Sequence, residues 1–576
     1  MINLSDVIVQ QGVPATMRDG TVLYADVYRP KTDDPQPVIL MRMPYNRQQA
    51  AHVPYAHPAW YARQGYMVVI QDTRGRWASE GKFYPFRHEM TDGYDTVEWA
   101  ARLPGSNGKV GMYWFSYPGA TQLMAAVMRP PHLTCIIPGF TNSGFYDGWT
   151  YSGGAFNLAF NLSWGMYLAI DTAHRHGLAD LERELVASHL RISEWYDFLP
   201  LPDMALMQKV EAIAPYIIDW LNHPSYDDYW KAWSIAERYG QISVPALHFG
   251  GWYDAFREGT LRNFSGIRQS GIDEHTRENQ RLLMGPWYHN PWLRQSGDID
   301  FGDTAINGMN EIQLAWFDHW LKGRGDLLWE EAPVRLFVMG DNVWRSWSEW
   351  PPTDVEYRNL YLHSLQGNAS SPDGDGILDQ QVPGDEPPDI FVYDPRWPVP
   401  SVGGHSCCVP QIAPMGPADQ RPIEYQGQVL VFTSEVLQDG LTVIGACTAT
   451  LWVASSAVDT DFTAKLVDVY PDGRAMNLTE GILRARYRNS LEEATLLKPF
   501  EIYQLTIQIG STCNVFKAGH RIRIEISSSN FPHWDRNTNT GRIPSNDQLA
   551  DVVVATQIIF HDAQHPSHVT LPVLAS

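Results

Sequence analysis

The chain has 576 residues, enough for three or four domains at about 150 residues each. Apolar residues make up 44% and charged residues 19%, the balance of a folded chain rather than a disordered one. With 43 Lys and Arg against 65 Asp and Glu, the formal charge of −22 argues against partners that need a basic footprint, namely nucleic acid and anionic membrane surfaces.

Two further classes fall away. Cys135, Cys407, Cys408, Cys447 and Cys513 are too few and too scattered for a disulfide framework, and no C-x-x-C pair exists to hold zinc. Cys407 and Cys408 are adjacent, so opposite-facing side chains on a strand are expected rather than a disulfide. His-Glu-x-x-His is absent, and no metal or other cofactor is expected. Residues 1–6 have neither a basic nor an apolar region of a signal peptide, which gives a cytoplasmic expectation. The uncharged stretch between Asp147 and Asp171 is long enough to span a bilayer, but its glycines, asparagines and hydroxyls read better as a buried, aromatic-rich segment near a pocket.

From about 20 to 140, short apolar runs alternate with helical patterns. Val38–Met41 and Met67–Ile70 predict buried strands, and 92–103 predicts a helix with acidic residues in its first turn. Val110–Met112 leads into a tight turn, 120–128 reads as helix, and Leu133–Pro138 as another strand. Such alternation predicts a mostly parallel sheet covered on both faces. From 144 to 240 amphipathic stretches such as 178–190 and 203–214 replace strands, which reads as an inserted helical cap. The α/β pattern resumes with strands at 244–249 and 282–284 and a helix at 310–321.

After Pro351-Pro352 short alternating segments follow (360–362, 429–432, 449–453, 462–469, 502–509, 522–527), separated by Gly, Pro, Asn and Asp. They predict an all-β sandwich, with 367–389 as an irregular loop. The expected limits are 1–143 and 241–352 for two parts of one α/β domain, 144–240 for the cap, and 353–576 for the β domain.

Three predicted strand ends carry the chemistry. Ser116, in Trp114-Phe115-Ser116-Tyr117-Pro118-Gly119, sits between a strand and a helix. A serine on such an elbow projects its hydroxyl at the sheet's edge, with the next backbone N–H aimed at a developing oxyanion. Trp114 and Pro118 stand where glycine is usual, so alone the motif is also compatible with an ordinary turn. Asp254 follows the second strand in Gly250-Gly251-Trp252-Tyr253-Asp254, and could equally cap a helix from Ala255. His289 follows the third in Gly285-Pro286-Trp287-Tyr288-His289, and could equally face solvent. Taken together, Ser116, Asp254 and His289 have the chain order of α/β-hydrolases at the strand ends where ligands gather. His289 would accept the Ser116 proton and Asp254 would orient the imidazole. Tyr117 N–H is one oxyanion donor. The Tyr45 phenol, after an early strand, is a second candidate, with a buried structural tyrosine as its rival.

The strings 17–21, 42–45, 71–75, 116–119, 251–254, 285–289, 416–422, 457–464 and 527–532 resemble, in order and over nearly the whole chain, the cocaine esterase group of serine hydrolases. That group is related to X-prolyl dipeptidyl peptidases, α-amino acid ester hydrolases and glutaryl-cephalosporin acylases. The resemblance implies an α/β-hydrolase fold with an inserted helical cap, followed by an all-β jelly-roll domain. It implies Ser116 as nucleophile, His289 and Asp254 as partners, Tyr45 hydroxyl and Tyr117 N–H as oxyanion hole, and Trp149, Trp164 and Phe256 as an acyl site lined with Tyr45. A homodimer is implied on the same ground alone.

Two departures stand out. Trp114 replaces the family's first elbow glycine, and His405-Ser406-Cys407-Cys408 falls where the esterase branch is more apolar. No carboxylate cluster for a substrate ammonium is identifiable; Asp147 is the nearest candidate, with a solvated surface residue as its rival. The expected activity is hydrolysis of small-molecule esters through an acyl-enzyme. Amide, β-lactam or peptide hydrolysis is the alternative within the family. A carbohydrate-binding protein with a hydrolase domain silenced by Trp114 is the alternative outside it.

Overall fold

The computed structural model describes residues 6–52, 55–289, 293–306, 308–408, 413 and 415–575, with 50–52 described by their backbone alone. A ten-stranded sheet forms the first half. Its strands are β1 (Val7–Thr16), β2 (Val22–Pro30), β3 (Gln36–Met43), β4 (Met67–Asp72), β5 (Ser106–Met112), β6 (Leu133–Ile136), β7 (Ala246–Gly251), β8 (Gln280–Gly285), β9 (Val334–Val338) and β10 (Val343–Trp347). They lie in the order β1-β2-β4-β3-β5-β6-β7-β8-β9-β10. From β3 to β9 the strands run parallel, while β1, β2 and β10 pair antiparallel at the edges. Every residue of β4, β7 and β8 is buried, as a strand covered on both faces requires.

Two apolar cores flank the sheet. One gathers Val38, Leu40, Val69 and the helix Tyr117–Val127; the other gathers Ile39, Met41, Ile70 and the helix Met309–Lys322. Alternate residues of β3 and β4 thus go to opposite faces, as the strand period of two dictates. The edge strands β1 and β2 carry polar residues among their apolar ones, so their signal is weaker than that of the central runs.

Between β6 and β7 the chain is mainly helical, with Leu158–Arg175, Ala179–His189, Ala205–Glu211 and Tyr216–Asn222 among its helices. The uncharged stretch splits into a two-residue hairpin (Tyr151–Ser152 with Ala155–Phe156) and the first of these helices. Among the described residues no helix is long and apolar enough to cross a membrane.

Among the described residues the second half is all β apart from single helical turns, with eleven strands linked in one sheet around a separate apolar core. Leu441–Ser455 and Tyr503–Phe516 pair along nearly their whole lengths. The segment expected to be an irregular loop, 367–389, is corrected in part. Ile377–Asp379 forms a strand beside Val355–His363, because its neighbours supply the hydrogen bonds that its polar flanks do not advertise. The two halves are hydrogen-bonded to each other: Ser511 donates to Glu258 through both its N–H (2.6 Å) and its hydroxyl (3.0 Å), and Phe156 N–H donates to Asp535 (2.8 Å).

Candidate active site

The turn after β5 places Ser116 directly before the helix Tyr117–Val127, with φ 67° and ψ −134°. A non-glycine residue at positive φ costs roughly 1–3 kcal/mol and persists only where its surroundings fix it. Here the fixing is visible. Ser116 N–H donates to the Gly139 carbonyl (2.9 Å), and Trp114 carbonyl accepts from Gly139 N–H (3.2 Å) and from Gln122 Nε2 (3.0 Å). Pro118 is accommodated in the first helical turn, where no intrahelical N–H is needed.

Trp114 does not obstruct the elbow. Its ring turns to the opposite face of the sheet, 4.3 Å from Tyr55 and stacked 5.8 Å from Phe115, inside the core that holds the helix Met309–Lys322. The close approach between helix and sheet falls instead on Gly119, where a Cβ would meet the Gly139 carbonyl oxygen at 2.6 Å. The glycine that arrives one residue late against the usual elbow pattern is the one that permits the contact.

Three distant segments converge at this elbow. His289, past the end of β8, places Nε2 3.0 Å from Ser116 Oγ and Nδ1 2.7 Å from Asp254 Oδ1. Asp254 is 1% and His289 7% exposed. The helix after β7 begins at Arg257, so the Asp254 carboxylate meets the imidazole rather than a helix N-terminus.

Tyr45, on the turn after β3, accepts a hydrogen bond from Trp164 Nε1 (3.0 Å), and Ser116 is among its hydrogen-bonding neighbours. Burial pushes its phenol above the ordinary tyrosine range and outweighs the Trp164 and Ser116 hydrogen bonds that favour ionisation. The phenol therefore keeps its proton and can donate it. Tyr117 begins its helix, so its N–H has no acceptor within the helix and is free to face an oxyanion.

Beneath the elbow lies a polar network that the sequence reading did not find. Tyr117 hydroxyl donates to Glu89 (2.8 Å) and accepts from Phe86 N–H (3.0 Å); Arg42 pairs with Glu89 (2.5 Å) and donates to Gln71 (2.9 Å). Arg42 is fully buried. A second group fixes the Tyr45 turn: Arg76 donates to the Pro44 carbonyl (2.9 Å) and the Leu168 carbonyl (2.7 Å) and pairs with Asp171 (3.2 Å). Arg42, Pro44 and Gln71 lie in the strings 42–45 and 71–75, where they carried no stated role, while Arg76, Glu89 and Asp171 lie outside both.

Trp149, Trp164 and Phe256 belong to one aromatic cluster. Phe256 stacks on Trp149 (4.2 Å) and stands edge-on to His289 (5.1 Å), while Trp149 meets Trp164 at 5.5 Å. Phe86 and Phe160 complete the wall and were not anticipated. A cavity of about 570 Å³ opens behind it, between Trp149, Phe160 and Phe256 on one side and Arg257, His405 and Glu480 on the other. Its four acidic lining residues each have a basic partner: Asp147 with Arg262 (3.0 Å), Glu258 with Arg257 (2.8 Å), Asp254 with His289, and Glu480 with His533 (3.0 Å). Burial raises the Glu480 pKa, but the His405 and His533 hydrogen bonds outweigh it and hold that carboxyl well below its usual range.

One expectation is overturned. Cys407 and Cys408 are joined in a disulfide rather than facing apart on a strand, since the segment there is irregular and Cys408 takes φ 77°. Nor is the region free of ligand-type clusters. His289, Cys407 and Cys408 bring three donor atoms within 4.8 Å of one another, a proximity that spacing along the chain does not reveal.

Residues 19–291 match the family described as X-Pro dipeptidyl-peptidase (S15 family), and residues 329–570 match the X-Pro dipeptidyl-peptidase C-terminal non-catalytic domain. The chain is 39% identical to a cocaine esterase from Rhodococcus sp. (strain MB1 Bresler), over 98% of both chains. It belongs to the cocaine esterase-like serine hydrolases. These are α/β-hydrolases of the S15 family. Two solved structures extend the likeness to the whole fold. An aminopeptidase from a marine sediment Thaumarchaeota archaeon superposes with a TM-score of 0.84 at 25% identity, over 100% of this chain and 97% of that one. An α-amino acid ester hydrolase superposes with a TM-score of 0.79 at 25% identity, over 100% and 98%. The chain is accordingly a hydrolase with an all-β C-terminal domain.

Proposed function

We propose that this serine hydrolase cleaves small-molecule carboxylic esters through an acyl-enzyme formed on Ser116. The observation that carries the reading is the unbroken series Ser116 Oγ, His289 Nε2, His289 Nδ1, Asp254 Oδ1, with contacts of 3.0 and 2.7 Å. His289 takes the Ser116 proton as Oγ attacks the acyl carbon, and Asp254 holds the tautomer and stabilises the imidazolium. The tetrahedral oxygen receives Tyr117 N–H and Tyr45 O–H. His289 then protonates the leaving alcohol, and a water activated by the same imidazole releases the acid.

Trp149, Trp164 and Phe256 form the acyl wall in this reading. Buried rings contribute area and edge-to-face contacts, which favours a flat or apolar acyl group. An uncharged acyl group is favoured over an α-amino one because every acidic residue around the cavity already holds a basic partner. In the same reading the hydrolase domain comprises 1–143 and 241–352, the helical cap 144–240, and a jelly-roll domain 353–576. A reducing cytoplasm is its proposed setting.

The test is labelling by a fluorophosphonate, followed by mapping of the labelled peptide. Label on Ser116, absent in Ser116→Ala together with aryl-ester turnover, supports the reading. Label elsewhere, or turnover that survives the substitution, overturns it. A matched ester and amide pair, compared by kcat/KM, separates esterase from acylase or peptidase, since the amine leaving group depends far more on protonation by His289.

A further inference from the structure

Cys407 and Cys408 stand beside the imidazole of His289. Cys407 is buried in the cluster that contains Trp149, Trp164 and Phe256, whereas Cys408 is exposed. The two sulfurs and a ring nitrogen of His289 lie within 4.8 Å of one another. Nδ1 of that ring is taken by Asp254, so the donor to a cation would be Nε2, whose lone pair the cation must take from Ser116, 3.0 Å away. Two thiolates and an imidazole are the donor set of a three-ligand zinc site with a fourth position open. Metal–ligand lengths of about 2.0–2.3 Å at tetrahedral angles need donors roughly 3.5–3.8 Å apart. Once the bond between them is reduced, the two sulfurs must part to that spacing, a movement that the exposed Cys408 can supply.

We propose that the reduced pair Cys407 and Cys408, with His289 Nε2, binds a thiophilic divalent cation such as Zn²⁺ or Cd²⁺, and that binding silences the hydrolase. The inference rests on the triad reading given above. The chemistry balances in two steps. A dithiol reductant breaks the Cys407–Cys408 bond, both sulfurs take up hydrogen, and the reductant closes into its own disulfide. The cation then displaces those two protons, forms two metal–sulfur bonds, and accepts the lone pair of neutral His289. With that lone pair committed, nothing takes the Ser116 proton and attack stops. While the sulfurs are joined, no thiolate is offered and the site does not form.

Cys135, Cys447 and Cys513 are buried free thiols elsewhere in the chain, so they provide an internal background rather than a competing site. The full chain is treated with a dithiol, freed of it, and titrated with micromolar Cd²⁺. Two signals are followed together, the near-ultraviolet thiolate-to-cadmium absorption band and the turnover of an aryl ester. Each protein is compared with its own cadmium-free activity. The expected result is one cadmium per chain, with activity falling about tenfold or more and returning on chelation. Oxidised protein and the double variant Cys407→Ser/Cys408→Ser show neither signal.

Equal sensitivity of oxidised, reduced and double-variant protein would place the metal elsewhere and overturn the proposal. A band that forms without loss of activity, or one unaltered by His289→Ala, overturns the part assigned to His289. The band does not depend on turnover, so failure of the esterase reading is distinguishable: an inactive protein whose band weakens in His289→Ala keeps the metal site and refutes the triad.

Discussion

Removing the Tyr45 hydroxyl tests the oxyanion donor proposed above. Tyr45→Phe keeps the ring that packs against Tyr117 (6.5 Å) and Tyr167 (6.3 Å), so the junction between helix Leu158–Arg175 and the sheet retains these aromatic contacts. Two hydrogen bonds change. Trp164 Nε1 loses its acceptor, which costs the fold about 1–3 kcal/mol. The oxyanion loses one of two donors, for which about 2.7–4 kcal/mol, or about 10²–10³ in kcat, is the usual penalty. The two losses separate by assay. Steady-state hydrolysis of an aryl ester should show kcat reduced by about 10²–10³ with KM changed little, since the donor acts on the charged transition state rather than on the neutral carbonyl. Thermal unfolding should register only the smaller Trp164 effect. A kcat within about threefold of the parent, at normal folding, would refute the donor role and return Tyr45 to a packing residue.

Other consequences are equally accessible. Gly119→Ala sets a Cβ 2.6 Å from the Gly139 carbonyl and 3.0 Å from Thr141 Cβ, so the helix must retreat from the sheet. A loss of roughly 1–3 kcal/mol in denaturant unfolding is expected, with a kcat deficit because Ser116 and Tyr117 N–H move with the helix. Glu89→Gln leaves buried Arg42 without its counter-charge, and a stability loss of about 3–5 kcal/mol should appear in the same assay. An unchanged midpoint would show that Gln71 alone satisfies the guanidinium. His248, fully buried, is held down to about 4 by burial, which outweighs its hydrogen bond to Gln280. Above its unfolded value of 6.5 the native state loses nothing to this group. Between 6.5 and about 4 only the unfolded chain takes up the proton, so stability falls by roughly 3 kcal/mol across that window and levels off below it. His248→Gln should flatten that acid slope, and an identical slope would remove the residue from the account.

The sequence was informative wherever the physics is local. Period-two and period-3.6 patterns located the central strands and several helices, because a strand covered on both faces is apolar along most of its length. A serine, an aspartate and a histidine at three strand ends were legible for the same reason: each lies within a few residues of a strong local signal, and chain order completed the pattern. Tertiary structure decided what depends on direction and distance. Whether Trp114 blocks its elbow depends on which face of the sheet receives the indole, and there it meets Tyr55, 59 residues away in the chain. The Arg42–Glu89–Tyr117 network joins residues from a strand, a helix and the elbow, and no spacing encodes that meeting. Cys407 and Cys408 read as an unremarkable adjacent pair until the irregular segment that carries them is folded against His289. Proximity between residues distant in the chain is a property of the packed layers, and it is there that this protein's site acquires its individual chemistry.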